Sequence, residues 1–257
     1  MDGSRASALE FDNLKVKVYP NRLEMGRAAA EAVAGTMREL LEQQERVSMV
    51  FAAAPSQDEF LASLAAAQGV DWRRVIAFHM DEYLGLPADA PQRFGNFLKE
   101  RIFDKVRPGV VHYLGVGVTG PEAETQRYAS LLSEHTLDIA CMGIGQNGHI
   151  AFNDPPVADF DDPLLVKVVE LDERSRQQQV YDGCFARLDA VPRCAITMTI
   201  PALTSARWVH CIVPDVSKAE SVRNCLCGPI ATDCPASILR RHPRAVLYLD
   251  PESASLL

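Results

Sequence analysis

The sequence predicts an α/β fold: an open, mainly parallel sheet with helices on both faces. Two observations carry this. Short apolar runs alternate with helical patterns along the chain, and such alternation builds parallel sheets covered on both sides. The run Leu137 to Ile144 is apolar on both faces, as a central parallel strand is. The 257 residues contain no internal repeat, no low-complexity segment and no Gly/Pro/Ser linker, so a single domain over 1-257 is expected.

Taken in order, Leu14 to Tyr19 alternates and reads as an edge strand. Asn21 is placed to cap a helix running to about Gln44. Val47 to Ala54 reads as a buried strand, Gln57 to Gln68 as a helix, and Val75 to Met80 as a short strand ending at Asp81. Phe94 to Val106 and Pro121 to His135 read as helices, the second with Pro in its first turn. Beyond Leu137 to Ile144, strands are expected at Ala195 to Ile200, Trp208 to Val213 and Ala245 to Leu249, with a helix over Lys218 to Cys227. In open parallel sheets ligands sit beyond the carboxyl ends of the strands. Ala54–Ser56, Asp81, Gly143–His149 and Asp215–Lys218 all follow expected strands, so four polar clusters should converge on one edge.

Composition narrows the class. With 47% hydrophobic and 23% charged residues the chain is globular in character. A chain of this length buries roughly three quarters of its unfolded surface and needs no disulfide or metal for stability. The net charge of -8 argues against a nucleic-acid partner, because phosphate backbones select basic faces, yet it leaves room for a small phosphorylated ligand. Seven cysteines, an odd number mostly within apolar runs, read as reduced thiols of a cytosolic protein. Cys225 and Cys227 form only a C-x-C with no nearby His, so they read as small buried hydrophobes and no metal is expected. Met1 to Phe11 lacks a signal pattern and no apolar stretch reaches the roughly 18 residues of a membrane helix, so a soluble, cytoplasmic protein is expected.

Two motifs carry chemistry. In FHMDEYLGL, Phe78 to Leu86, two adjacent acids follow an apolar strand; desolvation there would raise the Asp81 carboxyl pKa toward the range of a general base. The bland alternative is that Asp81 and Glu82 cap a turn or a helix. In GIGQNGHIAFNDPP, Gly143 to Pro156, Gly143 and Gly145 permit a tight turn, and Gly148 permits close approach beside His149. Asn147 and Asp154 bracket that histidine with hydrogen-bonding groups, which suits an acid/base element. The pattern is not a dinucleotide fingerprint, because no acid follows a second strand at the required distance. Lys218, near a helix start, and Ser56, in the turn Ala52 to Gln57, are candidate phosphate contacts.

MDEYLGL together with GIGQNGHIAFNDP resembles the glucosamine-6-phosphate deaminases/isomerases, and the resemblance runs from about Leu14 to the end through VSKAESV and PASILRRHPRAVLYLD. It implies a Rossmann-like sheet and interconversion of glucosamine 6-phosphate with fructose 6-phosphate and ammonia, without metal or organic cofactor. Asp81 matches the C2 proton abstractor, His149 the ring-opening histidine, Asn147 and Asp154 the residues that hold it, and Lys218 a phosphate ligand. Glu82, Gly145 and Gly148 join Ser56 as candidate substrate contacts. A phosphate-binding arginine of the family falls near Gln179; Arg176 is the candidate there, with Arg174 beside it. The departures lie at the same end: Ala52, Ala53, Ala54, Pro55 and Ser56 replace a glycine-rich phosphate turn, Asn147 stands where many members carry Asp, and Asp154 where Glu is usual. The expected partner is a small sugar phosphate, either glucosamine 6-phosphate held differently or a close amino-sugar phosphate, and a homo-oligomer is compatible with the resemblance. Two rival readings remain: a 6-phosphogluconolactonase-type hydrolase on the same fold, and a non-catalytic sugar-phosphate sensor.

Overall fold

The computed structural model describes residues 7–115 and 120–257. The first six residues of the Met1 to Phe11 segment lie outside the described residues. In chain order the strands are β1 (Ser7–Phe11), β2 (Leu14–Val18), β3 (Val47–Phe51), β4 (Val75–His79), β5 (Asp81–Tyr83), β6 (Val110–His112), β7 (Ile139–Met142), β8 (Val166–Glu170), β9 (Cys194–Met198), β10 (Trp208–Val213) and β11 (Ala245–Leu249). The helices are α1 (Arg22–Gln43), α2 (Asp58–Ala66), α3 (Phe94–Leu98), α4 (Asp104–Val106), α5 (Pro121–Ser133), α6 (Glu173–Tyr181), α7 (Ile200–Thr204) and α8 (Ala219–Cys227).

Eight strands form one sheet in the order β1-β2-β11-β10-β7-β3-β4-β6, parallel except for the β1–β2 hairpin. The segment Leu14 to Tyr19 is therefore not the edge, because β1 pairs outside it. Nor does the strand near Ala195 join the parallel sheet. It is β9, the middle of a separate antiparallel sheet β5-β9-β8. Strands β6 and β8 and helix α6 were not signalled by the sequence pattern; β6 has three half-buried residues, and α6 carries three consecutive glutamines in place of an apolar stripe.

Alternation along each central strand sends side chains to two different cores. Met49 and Phe51 of β3 pack with Ala29, Val33 and Met37 of α1 and with Phe60 and Leu64 of α2. Val50 between them packs on the opposite face with Tyr128 and Leu132 of α5 and Val222 and Leu226 of α8. Helices thus cover both faces, as the alternation of strands and helices requires. Asn21 caps α1 by accepting the Glu24 amide at 2.9 Å. The helical stretch begun at Phe94 is continuous to Val106 but passes through a π-helical turn at Lys99–Phe103. All seven cysteines are free; Cys225 is buried, whereas Cys227 is exposed and so is not the small buried hydrophobe its apolar surroundings suggest. Among the described residues no helix is long and apolar enough to cross a membrane.

Where α1 crosses α2 the contact is made backbone to backbone. A Cβ at Gly26 would lie 2.8 Å from Glu59 Cβ and 2.9 Å from Phe60 N. Neither can yield without moving α2. Overpacking costs about 1–3 kcal/mol and outweighs the roughly 1 kcal/mol that Ala gains over Gly in a helix. Gly26→Ala should therefore lower the thermal midpoint; an unchanged or higher midpoint would show that the two helices can separate freely.

Candidate active site

Strand β4 runs out of the large sheet at His79, and β5 enters the small sheet at Asp81. Met80 is the single residue between them. Its N–H donates to Phe51 O of the large sheet at 3.3 Å, and its carbonyl accepts the Met198 N–H of the small sheet at 2.8 Å. Asp81 is thereby placed at the seam between the sheets, paired with Thr197.

The two adjacent acids divide their duties. Glu82 is buried and accepts N–H groups from Tyr83 (2.9 Å), Phe94 (3.1 Å) and Gly95 (3.1 Å), with Arg93 Nε at 3.4 Å. It caps the start of α3, where a carboxylate meets unpaired amides. Burial raises its pKa in spite of those partners. Glu82 is therefore a structural anchor and not one of the residues lining the cleft, which corrects its candidacy as a substrate contact. Asp81 is also buried and faces the cleft, with no side-chain hydrogen bond or ion pair among the described residues. Burial first, and the neighbouring Glu82 charge second, push its pKa well above the usual carboxylate range.

His149 stands in the same cleft, on the turn after β7. Its Nδ1 lies 2.7 Å from Asn147 Oδ1 and 2.9 Å from Asp154 Oδ1, while Asn147 Nδ2 donates to that same Asp154 oxygen at 2.9 Å. Asn147 presents its oxygen to the ring because its nitrogen is committed to Asp154. Two acceptors at Nδ1 place the ring proton there, which leaves Nε2 as the free acceptor of the neutral ring. Burial tends to raise the Asp154 pKa, but the His149 charge and hydrogen bonds from His149, Asn147 and Ser175 outweigh it and hold the carboxyl low. The turn is built for this ring. A Cβ at Gly145 would collide with the imidazole of His149. Gly148, at φ +83°, packs against Cys234, whose Sγ would sit 2.7 Å from an added Cβ. Gly148 thus serves the turn's packing and does not line the cleft, unlike Gly145.

At the cleft's other side lie Ser56, Gln57, Gln178, Gln179 and Lys218. Lys218 is 5% exposed and its Nζ is buried without a partner among the described residues. Burial lowers its pKa, with Asp182 and Asp215 acting against the shift. It is the one cation among the described residues that line the cleft. Arg176 does not join it: its guanidinium donates to Leu188 O (2.7 Å) and Val191 O (3.1 Å), which ties α6 to the following loop. Arg176 is a brace, and Gln178 and Gln179 are the α6 residues that reach the cleft. Gln57 and Gln178 carry no motif signal; only the turn after β3 and an amide-rich α6 could have hinted at them. Phe94 and Phe152 supply apolar wall. No group of three or more His, Cys, Asp or Glu among the described residues is arranged to hold a metal ion.

An open α/β sheet with a carboxylate, a tautomer-fixed histidine and one buried cation around a cleft at its strand ends defines the class: a protein for small polar, anionic ligands. The chain belongs to the glucosamine-6-phosphate isomerases/6-phosphogluconolactonase family, whose model matches residues 20–248. It is similar to the glucosamine-6-phosphate deaminase of Exiguobacterium sibiricum, 41% identical over 191 residues, 73% of each chain. It is 32% identical over 245 residues to that of Lactobacillus delbrueckii subsp. bulgaricus, covering 95% of this chain and 100% of the other. Among solved structures, a monomeric glucosamine-6-phosphate deaminase superposes with a TM-score of 0.86 at 29% identity, covering 94% of this chain and 99% of that one. A 6-phosphogluconolactonase from Thermotoga maritima, at 20% identity and TM-score 0.74 over 91% of this chain and 98% of its own, shares the fold.

Behind Asp81 lies a second histidine. His79 Nε2 accepts the Leu114 N–H at 2.9 Å, so its Nδ1 carries the proton and donates to Asp81 O at 2.9 Å. Burial, helped by the charges of Arg93 and Arg127, pushes its pKa down to about 4, against the Asp81 carbonyl and Glu124, which raise it. An unfolded histidine binds its proton near 6.5. As pH falls from about 6.5 to about 4, the unfolded chain gains a proton that folded His79 refuses, which removes about 3 kcal/mol of stability across that window. In His79→Asn this contribution is absent. Denaturant titrations should show its stability falling less between those pH values than that of the wild type; parallel losses would refute the neutral, tautomer-fixed role.

Proposed function

We propose that the chain, working as a single domain, converts glucosamine 6-phosphate to fructose 6-phosphate and ammonia. The observation that carries this reading is the pairing, in one cleft, of an unpartnered Asp81 carboxylate with a His149 ring whose Nε2 is free to accept. The deaminase relatives support it. In the proposed reaction, His149 takes the anomeric hydroxyl proton and returns one to the ring oxygen, which opens the sugar. Asp81 then takes the C2 proton of the open aldehyde while a proton passes from the substrate's ammonium group to O1, leaving an enolamine, and Asp81 delivers its proton to C1. This yields an imine at C2; water adds to that carbon and ammonia leaves, giving the ketose. The raised pKa of Asp81 makes its carboxylate a stronger base for taking the C2 proton. Lys218 and Ser56 are the proposed phosphate contacts, Asn147 and Asp154 the groups that hold His149, and Gly145 the residue that makes space for the ring.

No metal or organic cofactor enters these steps. The free thiols support a cytoplasmic place of work. The lactonase neighbours are 20% identical or less and speak only for the shared fold.

Ammonia release and ketose phosphate formation from glucosamine 6-phosphate, in wild type and in Asp81→Asn, form the test. Wild-type turnover should fall by about 10²–10⁴ in the variant, the usual contribution of a positioned acid/base group. A folded wild type that releases no ammonia sinks the reading, and hydrolysis of 6-phosphogluconolactone by the same protein would put the lactonase in its place. Ammonia release that survives in Asp81→Asn removes Asp81 from the chemistry.

A further inference from the structure

Gln57 closes the turn between β3 and α2 and is 1% exposed, yet it lines the cleft. Its Nε2 donates to Ile212 O at 3.1 Å and to Ser56 Oγ at 3.2 Å. A main-chain carbonyl can only accept, so this end of the amide must be the nitrogen and the other the oxygen. That oxygen, Oε1, is buried without a partner among the described residues. Gly143 makes the arrangement fit, since a Cβ there would stand 3.2 Å from Gln57 Nε2.

Two consequences follow from donor and acceptor counting. The Ser56 hydroxyl already accepts from Gln57, so its own proton is free to turn outward as a donor. The buried orphans of the cleft then have opposite demands. Lys218 Nζ seeks an acceptor, and Gln57 Oε1 seeks a donor. A buried polar atom left without its partner costs about 1–3 kcal/mol, so a ligand that satisfies both is preferred over one that satisfies only the cation.

We infer that Gln57 is a specificity-determining residue at the anion end of the cleft, and that it selects an oxyanion carrying an O–H, a singly protonated phosphate monoester, over a fully ionised one. Anionic oxygens meet Lys218 and the Ser56 hydroxyl, and the P–OH donates to Gln57 Oε1. The inference rests on the reading that the substrate's anion occupies the Ser56–Lys218 end. It goes beyond that reading in naming the protonation state bound and the residue that reads it. It also gives a use to the alanine-rich turn: where Ala52, Ala53 and Ala54 hinder close amide approach, side chains take over recognition.

Inorganic phosphate carries a P–OH at neutral pH and sulfate carries none, so the two ions are the probes. Calorimetric titration needs no turnover, and its outcome stands apart from that of the deaminase assay. Wild type should bind phosphate roughly tenfold or more tighter than sulfate, the discrimination expected when a buried acceptor goes unmet. In Gln57→Met, which lacks the acceptor, the preference should collapse toward unity. In Gln57→Leu, which likewise lacks the acceptor, the preference should collapse in the same way. Thermal melts of both variants identify any that fail to fold, and either folded variant decides the matter. Equal wild-type affinities for the two ions would overturn the inference, as would a preference unchanged in the folded variant. If phosphate is preferred but glucosamine 6-phosphate releases no ammonia, the deaminase reading falls and the role of Gln57 stands.

Discussion

The Met198 peptide is the point on which the cleft is built. Its N–H donates to Met80 O at 2.8 Å, and its carbonyl accepts from Asn153 Nδ2 at 2.9 Å. The first bond fixes the residue just before Asp81. The second fixes the residue just before Asp154, with the Phe152 amide held by Thr197 Oγ1 at 3.1 Å beside it. One strand of the small sheet therefore sets both the carboxylate and the group that holds His149. Neither side of the reaction centre can drift without breaking buried hydrogen bonds, which are costly to leave unmade.

The distribution of satisfied and unsatisfied groups separates scaffold from chemistry. Glu82 and His79 are buried and fully engaged, and Asp154 commits its Oδ1 to His149 and Asn147; their charges or tautomers are set by neighbours. Asp81, Lys218 and Gln57 are also buried and line one cleft, and among the described residues the Asp81 carboxyl, Lys218 Nζ and Gln57 Oε1 have no partner. Folding gains nothing from such groups, because desolvation opposes them and no partner repays it. A ligand that supplies those partners accounts for their presence.

How far the sequence was legible follows from the range of the forces involved. Strands β7, β10 and β11 and helix α1 were readable because burial on two faces, or a capped amphipathic pattern, is written locally. The cleft residues Asp81, Gly145 and His149, and Asn147 and Asp154 that hold the His149 ring, were readable because two compact motifs carry them. Ser56 and Lys218 were readable because they follow strands, where sheets of this kind place ligands. Arg176 was misread: it lies three positions from Gln179 on α6, but its guanidinium reaches the loop carbonyls and not the cleft. Glu82 and Gly148 sit beside cleft residues in sequence but turn away from them, since successive residues of a strand or turn face opposite ways.

By itself the sequence determined the alternating α/β order, the parallel core and the two motifs, because side-chain period and turn chemistry are local properties. The tertiary structure alone decided which of two adjacent acids is free, which tautomer His149 holds, and that β5, β8 and β9 leave the parallel sheet to form their own. Those outcomes depend on hydrogen bonds between residues far apart in the chain, Met80 with Met198 and Asn153 with Met198, whose partners no local pattern names.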